Sequence, residues 1–201
     1  MINNRFTNSA PPVVLNLIII NCLGLMATTI FPTLSFYLGL HTPQSEYFKL
    51  YQVVTYMFLH GGLSHLFFNM FALWMFGRTL ENVLGSKRFL IYYMACGVGA
   101  GLLQLGIGMV SPYYLTVGAS GAVFGLLLAF GVLFPNSIIM LLIPPIPIKA
   151  KWFVIIYGVM ELMLGIRNSA SDNVAHFAHL GGMIWGFLLL LYWRYKNVIR
   201  F

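Results

Sequence analysis

Five polar residues stand at the beginnings of apolar runs in this chain. Ser120 opens one run, His176 and His179 open a second, and His65 and Asn69 open a third. A polar side chain at bilayer depth is costly and usually faces a protein interior or a water-filled cavity. A hydroxyl, imidazoles and an amide at similar depth predict a nucleophile, a base and an oxyanion site inside a membrane.

The predicted chemistry is attack by the Ser120 hydroxyl on a carbonyl carbon. A serine is a weak nucleophile unless a base takes its proton, and histidine suits that role because its ordinary pKa is near neutral. The tetrahedral intermediate then needs hydrogen-bond donors. His65 and Asn69 are four residues apart, so they project from one helix face. The backbone N–H of Ser120, at a helix start, is a further donor.

The composition indicates that membrane helices position these residues. The chain has 201 residues, of which 60% are hydrophobic and 7% charged, whereas soluble domains carry about 25% charged residues. Its apolar stretches are long and continuous, which favours helices over the alternating pattern of a transmembrane barrel. We therefore predict an all-α, polytopic membrane protein with a single domain over residues 1–201. The net charge of +7 comes without a basic stripe, so no nucleic-acid partner is predicted.

Six apolar runs approach the ~20 residues that cross a bilayer, and the fourth is short. A short fourth helix would begin below the membrane surface, so residues 113–117 before it should be non-helical and enclosed by protein or a water cavity. The tyrosine-rich connection from Pro32 to Gly62 and the proline-broken stretch Ile138–Ile148 are expected at the interface. The predicted spans are Val13–Phe31, Leu63–Leu80, Phe89–Val110, Ser120–Leu133, Lys151–Ile166 and Val174–Trp193.

The lysines and arginines predict the orientation of the spans. With the N-terminus inside, nine of the 11 basic residues lie on the cytoplasmic side, and only Lys49 and Arg167 lie outside, as the positive-inside rule requires. Both termini are then cytoplasmic, in what is expected to be a bacterial cytoplasmic membrane, and the first run is an uncleaved span. Spans two, four and six run inwards, so the polar residues share the outer part of the membrane. The cytoplasmic set is Arg5, Arg78, Lys87, Arg88, Lys149, Lys151, Arg194, Lys196 and Arg200.

Small residues give spans four and six a way to pack closely. Gly121 and Gly125 form one small-residue face, and Gly182 and Gly186 form another. Such faces let helix backbones approach each other. We therefore expect the serine of span four and the second histidine of span six to lie within hydrogen-bond reach.

The histidines are also candidate metal ligands. His60 with His65, or His176 with His179, could contribute two ligands to a zinc ion. No carboxylate or cysteine lies nearby in sequence to complete either set. We therefore predict neither a metal nor a cofactor.

Three motifs make the sequence resemble the rhomboid family of intramembrane serine proteases. The resemblance covers about Pro43 to Trp193, and the segment Glu81–Ser86 after span two also looks like part of that family. The motifs occur in the family's order and on matching spans. They are His65-x-x-x-Asn69 in span two, Gly118-Ala119-Ser120-Gly121 in span four and Ala178-His179-x-x-Gly182-x-x-x-Gly186 in span six.

The resemblance implies a six-transmembrane-helix rhomboid-like bundle with a catalytic dyad. Ser120 matches the nucleophile and His179 the general base, with no acidic third member. An oxyanion hole would be formed by His65 and Asn69 together with Ser120 and Gly118. Substrates would be transmembrane proteins in the lipid bilayer, cleaved in or near their membrane segments.

The resemblance also assigns three further regions. Phe124 lies where the family often has an aromatic residue that packs on the catalytic histidine. Span five and the loop 167–174 match the region through which a substrate helix enters. Many relatives carry Trp-Arg in the first long loop, which here is the connection from Pro32 to Gly62. This chain has Tyr51-Gln52 at the matching place, which leaves the anchoring of that loop open.

Several assignments remain open at this stage. His176 either faces water or supports another polar group, and Glu161 either lines the entry region, pairs with Arg167 or sits at the interface. A catalytically silent relative that binds membrane helices would carry the same fold. A small transporter or channel would also place polar groups in spans, but it predicts paired repeats, and none is convincing here. The oligomeric state is open.

Overall fold

The apolar runs of the sequence form α-helices. The computed structural model describes residues 11–110, 114–141, 144–167 and 175–201. In chain order the helices are α1 (Pro12–Ile30), α2 (Thr33–Leu38), α3 (Gln52–Thr55), α4 (Leu63–Ala72), α5 (Arg78–Leu84), α6 (Ser86–Gly108), α7 (Ser120–Leu133), α8 (Ala150–Arg167) and α9 (His176–Tyr195), and the strands are β1 (Leu40–His41), β2 (Leu115–Thr116), β3 (Ile138–Met140) and β4 (Pro147–Lys149).

The predicted helical membrane protein is confirmed. Helices α1, α6 and α9 are long and apolar enough to cross a membrane, and α7 is a shorter apolar helix. Helix α7 has the predicted bounds and only 14 residues. The other helices that match predicted spans begin and end close to the expected positions, while the count of six crossings remains a prediction.

Predicted span two is a helical run in three parts. Helix α4 continues into a π-helical turn, Leu73–Gly77, and then into α5. Helix α5 ends at Gly85, whose φ of +79° lies in the left-handed region that glycine adopts without a Cβ penalty. The chain leaves Gly85 directly into α6, so this glycine sets the turn between spans two and three.

Two short antiparallel strand pairs join segments that the sequence left as irregular connections. Strands β1 and β2 pair with Leu40 opposite Thr116, and β3 and β4 pair inside the predicted interfacial connection with Ile139 opposite Ile148. Residues 114–117 are non-helical, as expected, whereas Tyr113 lies outside the described residues. The β1–β2 pair ties the stretch before α7 to the first long loop.

Gln52 holds the first long loop in place from its centre. Its side chain is 1% exposed, and its Oε1 accepts from the backbone N–H groups of Lys49 at 3.1 Å and His41 at 3.4 Å. Its Nε2 donates to the carbonyl oxygens of Tyr37 and Tyr47, both at 3.0 Å. A buried amide that satisfies both its donor and its acceptor capacity stabilises the loop. The anchoring left open at Tyr51-Gln52 is therefore supplied by the glutamine.

Glu81 joins the start of α1 to the turn before α6. The first N–H groups of a helix have no partner inside it, and the buried Glu81 carboxylate accepts from Val13 N–H at 3.1 Å and Val14 N–H at 2.9 Å. The same carboxylate accepts from Ser86 Oγ–H at 2.6 Å. Its charge also suits the positive end of the α1 dipole. This network gives the segment Glu81–Ser86 a structural role.

Helices α6, α7 and α9 pack against one another, and α8 packs against α7 and α9. Tyr92 on α6 donates its phenol hydrogen to the carbonyl of Gly125 at 3.0 Å. Burial of such a hydroxyl requires a partner, and a helix carbonyl with no side chain beside it is accessible. The helix that begins with Ser120 is therefore held from within the bundle.

Helix α8 is peripheral and presents one narrow face to α7 and α9. Its buried residues are Ala150, Val154, Glu161 and Gly165, whose spacing of four, seven and four residues follows one helical face. The opposite face is apolar and exposed, as expected towards lipid, and includes Trp152, Ile155, Ile156, Val159, Met163 and Ile166. Glu161 therefore points into the bundle.

Candidate active site

Ser120 is presented by a sharp turn at the start of α7. The preceding Gly118 has a φ of +135°, a conformation that residues with a Cβ rarely adopt. The backbone N–H of Gly118 donates to the carbonyl of Tyr56 at 2.9 Å, which fixes this turn to the first long loop. The turn places the Ser120 side chain at the first helical position, where backbone N–H groups lack intrahelical partners.

Ser120 and His179 are hydrogen-bonded although they are 59 residues apart in sequence. His179 Nε2 lies 2.8 Å from Ser120 Oγ. Below them Gly182 packs directly on the backbone of Gly121, and the missing Cβ of Gly125 faces Cys96 on α6. The small-residue faces thus let α7 and α9 approach as expected, and the two side chains meet at the top of that crossing.

Phe124 packs flat against the His179 ring. The ring centroids are 4.2 Å apart and the planes differ by 8°. Phe124 is one helical turn after Ser120, so it lies on the same face of α7. The expected aromatic contact is confirmed, and it restricts rotation of the imidazole.

A carboxylate completes the line of polar groups, which corrects the expectation of no acidic third member. Glu161 Oε2 lies 2.9 Å from His179 Nδ1 and 2.6 Å from His176 Nδ1. All three side chains are buried, and Glu161 is 5% exposed. The order of contacts is Ser120, His179, Glu161, as in a serine–histidine–acid triad.

Sequence reasoning missed this contact because it searched for an acid close to span six. Glu161 is 18 residues before His179 and on another helix. None of its three sequence-based interpretations included the contacts with His176 and His179, whereas His176 does support another polar group. The available signal was an ionisable residue in an apolar run, at a spacing that puts it on the small-residue face of α8 with Gly165.

His65 lies beside the turn that presents Ser120. A Cβ on residue 118 would be 2.9 Å from His65 Cε1 and 3.0 Å from His65 Nε2, so the ring fills the space that the glycine leaves. His65 Nδ1 accepts from Gly61 N–H at 3.4 Å. A neutral imidazole that accepts at one nitrogen carries its hydrogen on the other. His65 therefore presents Nε2–H on the side of Gly118.

Asn69 and Gly118 each donate a hydrogen bond to a backbone carbonyl group. Asn69 Nδ2 donates to the carbonyl of His65 at 2.9 Å, one turn back on α4, and its amide is buried. The Gly118 N–H is taken by Tyr56, so its expected role as an oxyanion donor gives way to a role in spacing. Of the side chains expected to act as oxyanion donors, His65 lies beside the turn, and Asn69 holds the backbone of the same helix.

His60 forms a buried contact behind His65, in the turn before α4. The two rings are edge-to-face with centroids 5.1 Å apart, and neither ring nitrogen of His60 has a hydrogen-bond partner among the described residues. Burial and the neighbouring His65 lower the pKa of His60 to about 4. His60 is therefore neutral near pH 7 and adds no charge beside His65.

Glu161, His176 and His179 also form a set whose ligand atoms lie within 4.8 Å of one another. Neighbouring ligands of a tetrahedral zinc ion would be about 3.3 Å apart at the usual bond lengths of ~2.0–2.1 Å. The observed separations of 2.6 and 2.9 Å are hydrogen-bond distances instead. The geometry therefore favours a hydrogen-bonded cluster.

Comparison with known proteins identifies a family for this chain. Residues 47–196 match the model of the Rhomboid domain. The chain is 36% identical over 148 residues to rhomboid protease GluP of Bacillus subtilis (72% of this chain, 25% of the relative). It is 35% identical over 139 residues to Rhomboid protein 1, mitochondrial, of Saccharomyces cerevisiae (65% of this chain, 38% of the relative).

A plant protein, RHOMBOID-like protein 5 of Arabidopsis thaliana, is 34% identical over 149 residues (74% of this chain, 47% of the relative). The chain spans less than two thirds of the length of the curated relatives it matches. The family match includes all the site residues described above.

Proposed function

Because this chain belongs to the rhomboid family, we propose that it is an intramembrane serine endopeptidase that cleaves transmembrane proteins in or near their membrane segments. The observation that carries this proposal is the 2.8 Å hydrogen bond between Ser120 Oγ and His179 Nε2. A serine hydroxyl that acts as a nucleophile requires an adjacent base, and a histidine hydrogen-bonded to it can supply that base. The relatives named as proteases support the same reaction class.

Ser120 attacks and His179 moves the proton in the proposed reaction. As Ser120 Oγ bonds to the carbonyl carbon of a substrate peptide, its proton passes to His179 Nε2. The tetrahedral intermediate collapses when Nε2–H gives that proton to the departing amine, and the C–N bond breaks. Water then attacks the acyl carbon while His179 Nε2 takes one of its protons, and Nε2–H returns that proton to Ser120 Oγ as the ester C–O bond breaks and the carboxylic acid fragment leaves.

The proposed oxyanion donors are the backbone N–H of Ser120 and the side chains of His65 and Asn69. The Ser120 N–H lies at a helix start, where the macrodipole also favours negative charge. His65 carries its Nε2–H on the Gly118 side of the turn. Asn69 uses Nδ2 for one bond to its own helix, and an amide nitrogen has a second hydrogen to donate. Asn69 therefore both supports and extends the donor set.

The position of His65 gives a prediction for Gly118→Ala. The added Cβ would press on the His65 ring, and φ near +135° costs a residue with a side chain about 1–3 kcal/mol. Because the obstructing atoms belong to a side chain, the ring can move and the bundle still folds. We expect proteolytic activity to fall roughly 10²- to 10³-fold, as for loss of one oxyanion donor. Cleavage rates of a transmembrane reporter in detergent micelles check this.

His65→Ala provides the matched comparison for that variant. If Gly118→Ala acts by displacing His65, the double variant is no slower than His65→Ala alone, because both changes remove the same donor. Multiplying effects of the two changes would contradict a shared mechanism. Thermal unfolding of each variant reports whether the fold persists.

The proposed location is a bacterial cytoplasmic membrane with both termini in the cytoplasm. The asymmetry of lysine and arginine supports this orientation, and it would put Ser120 and His179 in the outer part of the membrane. The apolar outer face of α8 borders lipid. A substrate helix would approach from the bilayer on the side of α8, and water would reach the site from the extracytoplasmic face.

Activity-based labelling tests the proposal. A fluorophosphonate probe reacts with a serine whose proton a base can take. We expect covalent labelling of the purified protein at Ser120, identified by mass spectrometry of the modified peptide, and no labelling of Ser120→Ala. Labelling at another serine, or equal labelling of both proteins, would contradict the assignment. Absence of labelling together with binding of membrane helices would favour a catalytically silent rhomboid-like protein.

A further inference from the structure

We infer that Glu161 is a positioning residue for the proposed protease, so that the reaction runs on a serine–histidine–glutamate line rather than on a dyad. This inference rests on the proposed function. Glu161 is hydrogen-bonded to His176 and His179, and it acts on Ser120 through His179. The contacts that support the inference join α8, which carries Glu161, to α9, which carries both histidines.

The contacts of Glu161 determine which nitrogen of each imidazole carries the hydrogen. Glu161 Oε2 lies 2.6 Å from His176 Nδ1 and 2.9 Å from His179 Nδ1, both at hydrogen-bond distance. An ionised carboxylate only accepts hydrogen bonds, and each of its oxygens has two lone pairs. Both Nδ1 atoms therefore carry hydrogen and donate. His179 is then left with a lone pair on Nε2, the atom that faces Ser120 Oγ.

The Glu161 carboxylate is buried, and its burial must be compensated. Glu161 is 5% exposed, and an isolated buried carboxylate is strongly unfavourable unless hydrogen bonds or charges compensate it. The two N–H donors supply that compensation. Gly165, one turn further along α8, leaves room for the neighbouring α9 residues, because a Cβ there would be 3.2 Å from the Phe177 ring and 3.4 Å from His176 Cβ. The local packing thus brings α8 close enough for the contact.

Glu161 affects the reaction through the charge that forms on His179. When Ser120 gives its proton to Nε2, His179 becomes a cation whose Nδ1–H already points at the Glu161 carboxylate. The proton stays on His179, because the carboxylate stabilises the imidazolium without taking a proton from it. Glu161 therefore favours the correct tautomer before attack and the charge that forms during attack.

His176 has a separate and smaller role in this arrangement. Its Nδ1 donates to the same Glu161 oxygen as His179 Nδ1, which helps to fix the carboxylate. The rings of the two histidines are nearly perpendicular, with centroids 6.2 Å apart. Removal of His176 leaves the bond between Glu161 and His179 available. We therefore expect a weaker effect from His176→Asn than from a change at Glu161.

The test compares Glu161→Gln with wild type in detergent. Glutamine keeps the size and removes the charge, so kcat should fall roughly 10²- to 10⁴-fold, as when the acid of a triad becomes an amide. KM should stay within about threefold, since uniform substrate binding is untouched. His176→Asn should lose much less in kcat.

Glu81→Gln is the matched control. It replaces another buried carboxylate that accepts three hydrogen bonds, at the start of α1. We expect it to lower the unfolding temperature while kcat of the folded enzyme stays close to that of wild type. Equal losses of kcat in the two variants would assign the Glu161 effect to stability and overturn the inference.

A spectroscopic measurement covers the case in which Glu161→Gln does not fold. The proton of an imidazole Nδ1–H bonded to a carboxylate resonates far downfield, so wild type should show such a signal, assigned through its absence in His179→Ala. A wild-type spectrum without it would overturn the inference. Active Glu161→Gln with inactive Ser120→Ala would do the same and leave the proposed function standing, whereas active Ser120→Ala would overturn the proposed function itself.

Discussion

Replacing Ser120 with alanine is expected to abolish cleavage of a transmembrane reporter while the protein still folds. In the proposed mechanism the Ser120 hydroxyl is the attacking group, and its hydrogen bond to His179 adds little to the packing of α7 against α9. Loss of the nucleophile in a serine protease lowers kcat by up to about 10⁶-fold. Product bands from a reporter substrate in proteoliposomes measure the loss, and circular dichroism reports the fold.

His179→Ala should give the same result, and the double variant should be no worse than either single one. In the proposed mechanism the two residues act as one unit, so removing the second member costs little once the first is gone. Ser64→Ala is a useful control because Ser64 is an exposed serine on α4, and this variant should cleave like wild type. Cleavage by Ser120→Ala at the wild-type rate would refute the proposed mechanism.

The second large effect is expected from Gly182→Ala. A Cβ on residue 182 would overlap the backbone carbonyl of Gly121, and a backbone atom cannot rotate away as a side chain can. Helix α9 must therefore move from α7, at a cost of about 1–3 kcal/mol or more for an overpacked contact. The same crossing sets the 2.8 Å separation between Ser120 Oγ and His179 Nε2, so activity should fall together with stability.

Gly106→Ala is the matched control for that substitution. Gly106 lies within α6, and a Cβ there meets nothing within 4 Å. Alanine is favoured over glycine in a helix by up to about 1 kcal/mol, so this variant should be as stable as wild type or slightly more stable and fully active. Thermal unfolding in detergent and reporter cleavage are measured on both variants. Equal stability of Gly182→Ala and Gly106→Ala would show that α7 and α9 do not depend on the close contact.

The short fourth helix shows what local patterning can predict. Its start at Ser120 and its end at Leu133 follow from an apolar run bounded by a glycine-containing turn and by Pro135. The close approach of Gly182 to Gly121 follows equally from the small-residue spacing. Both features depend on residues that are neighbours along a helix, where a fixed period of 3.6 residues translates sequence into a face.

The contacts that the loops make with distant segments could not be predicted from the sequence. The role of Gln52 depends on four backbone groups that come together only when the first long loop closes around it. The pairing of β1 with β2 joins two-residue strands separated by more than 70 positions. Neither strand is long enough to show an alternating pattern, and a single amide gives no periodic signal.

The sequence by itself determined that this is a helical membrane protein with Ser120, His179 and His65 at the starts of helices, because apolar length, helical period and the cost of polar groups in lipid are local properties. The small-residue spacing also predicted that Ser120 and His179 meet, whereas only the tertiary structure decided which other groups join them. Glu161 reached His179 through the packing of α8 on α9, and Gly118 gave its N–H to Tyr56. Such choices depend on how separate helices pack and turn relative to each other, which no one helix encodes.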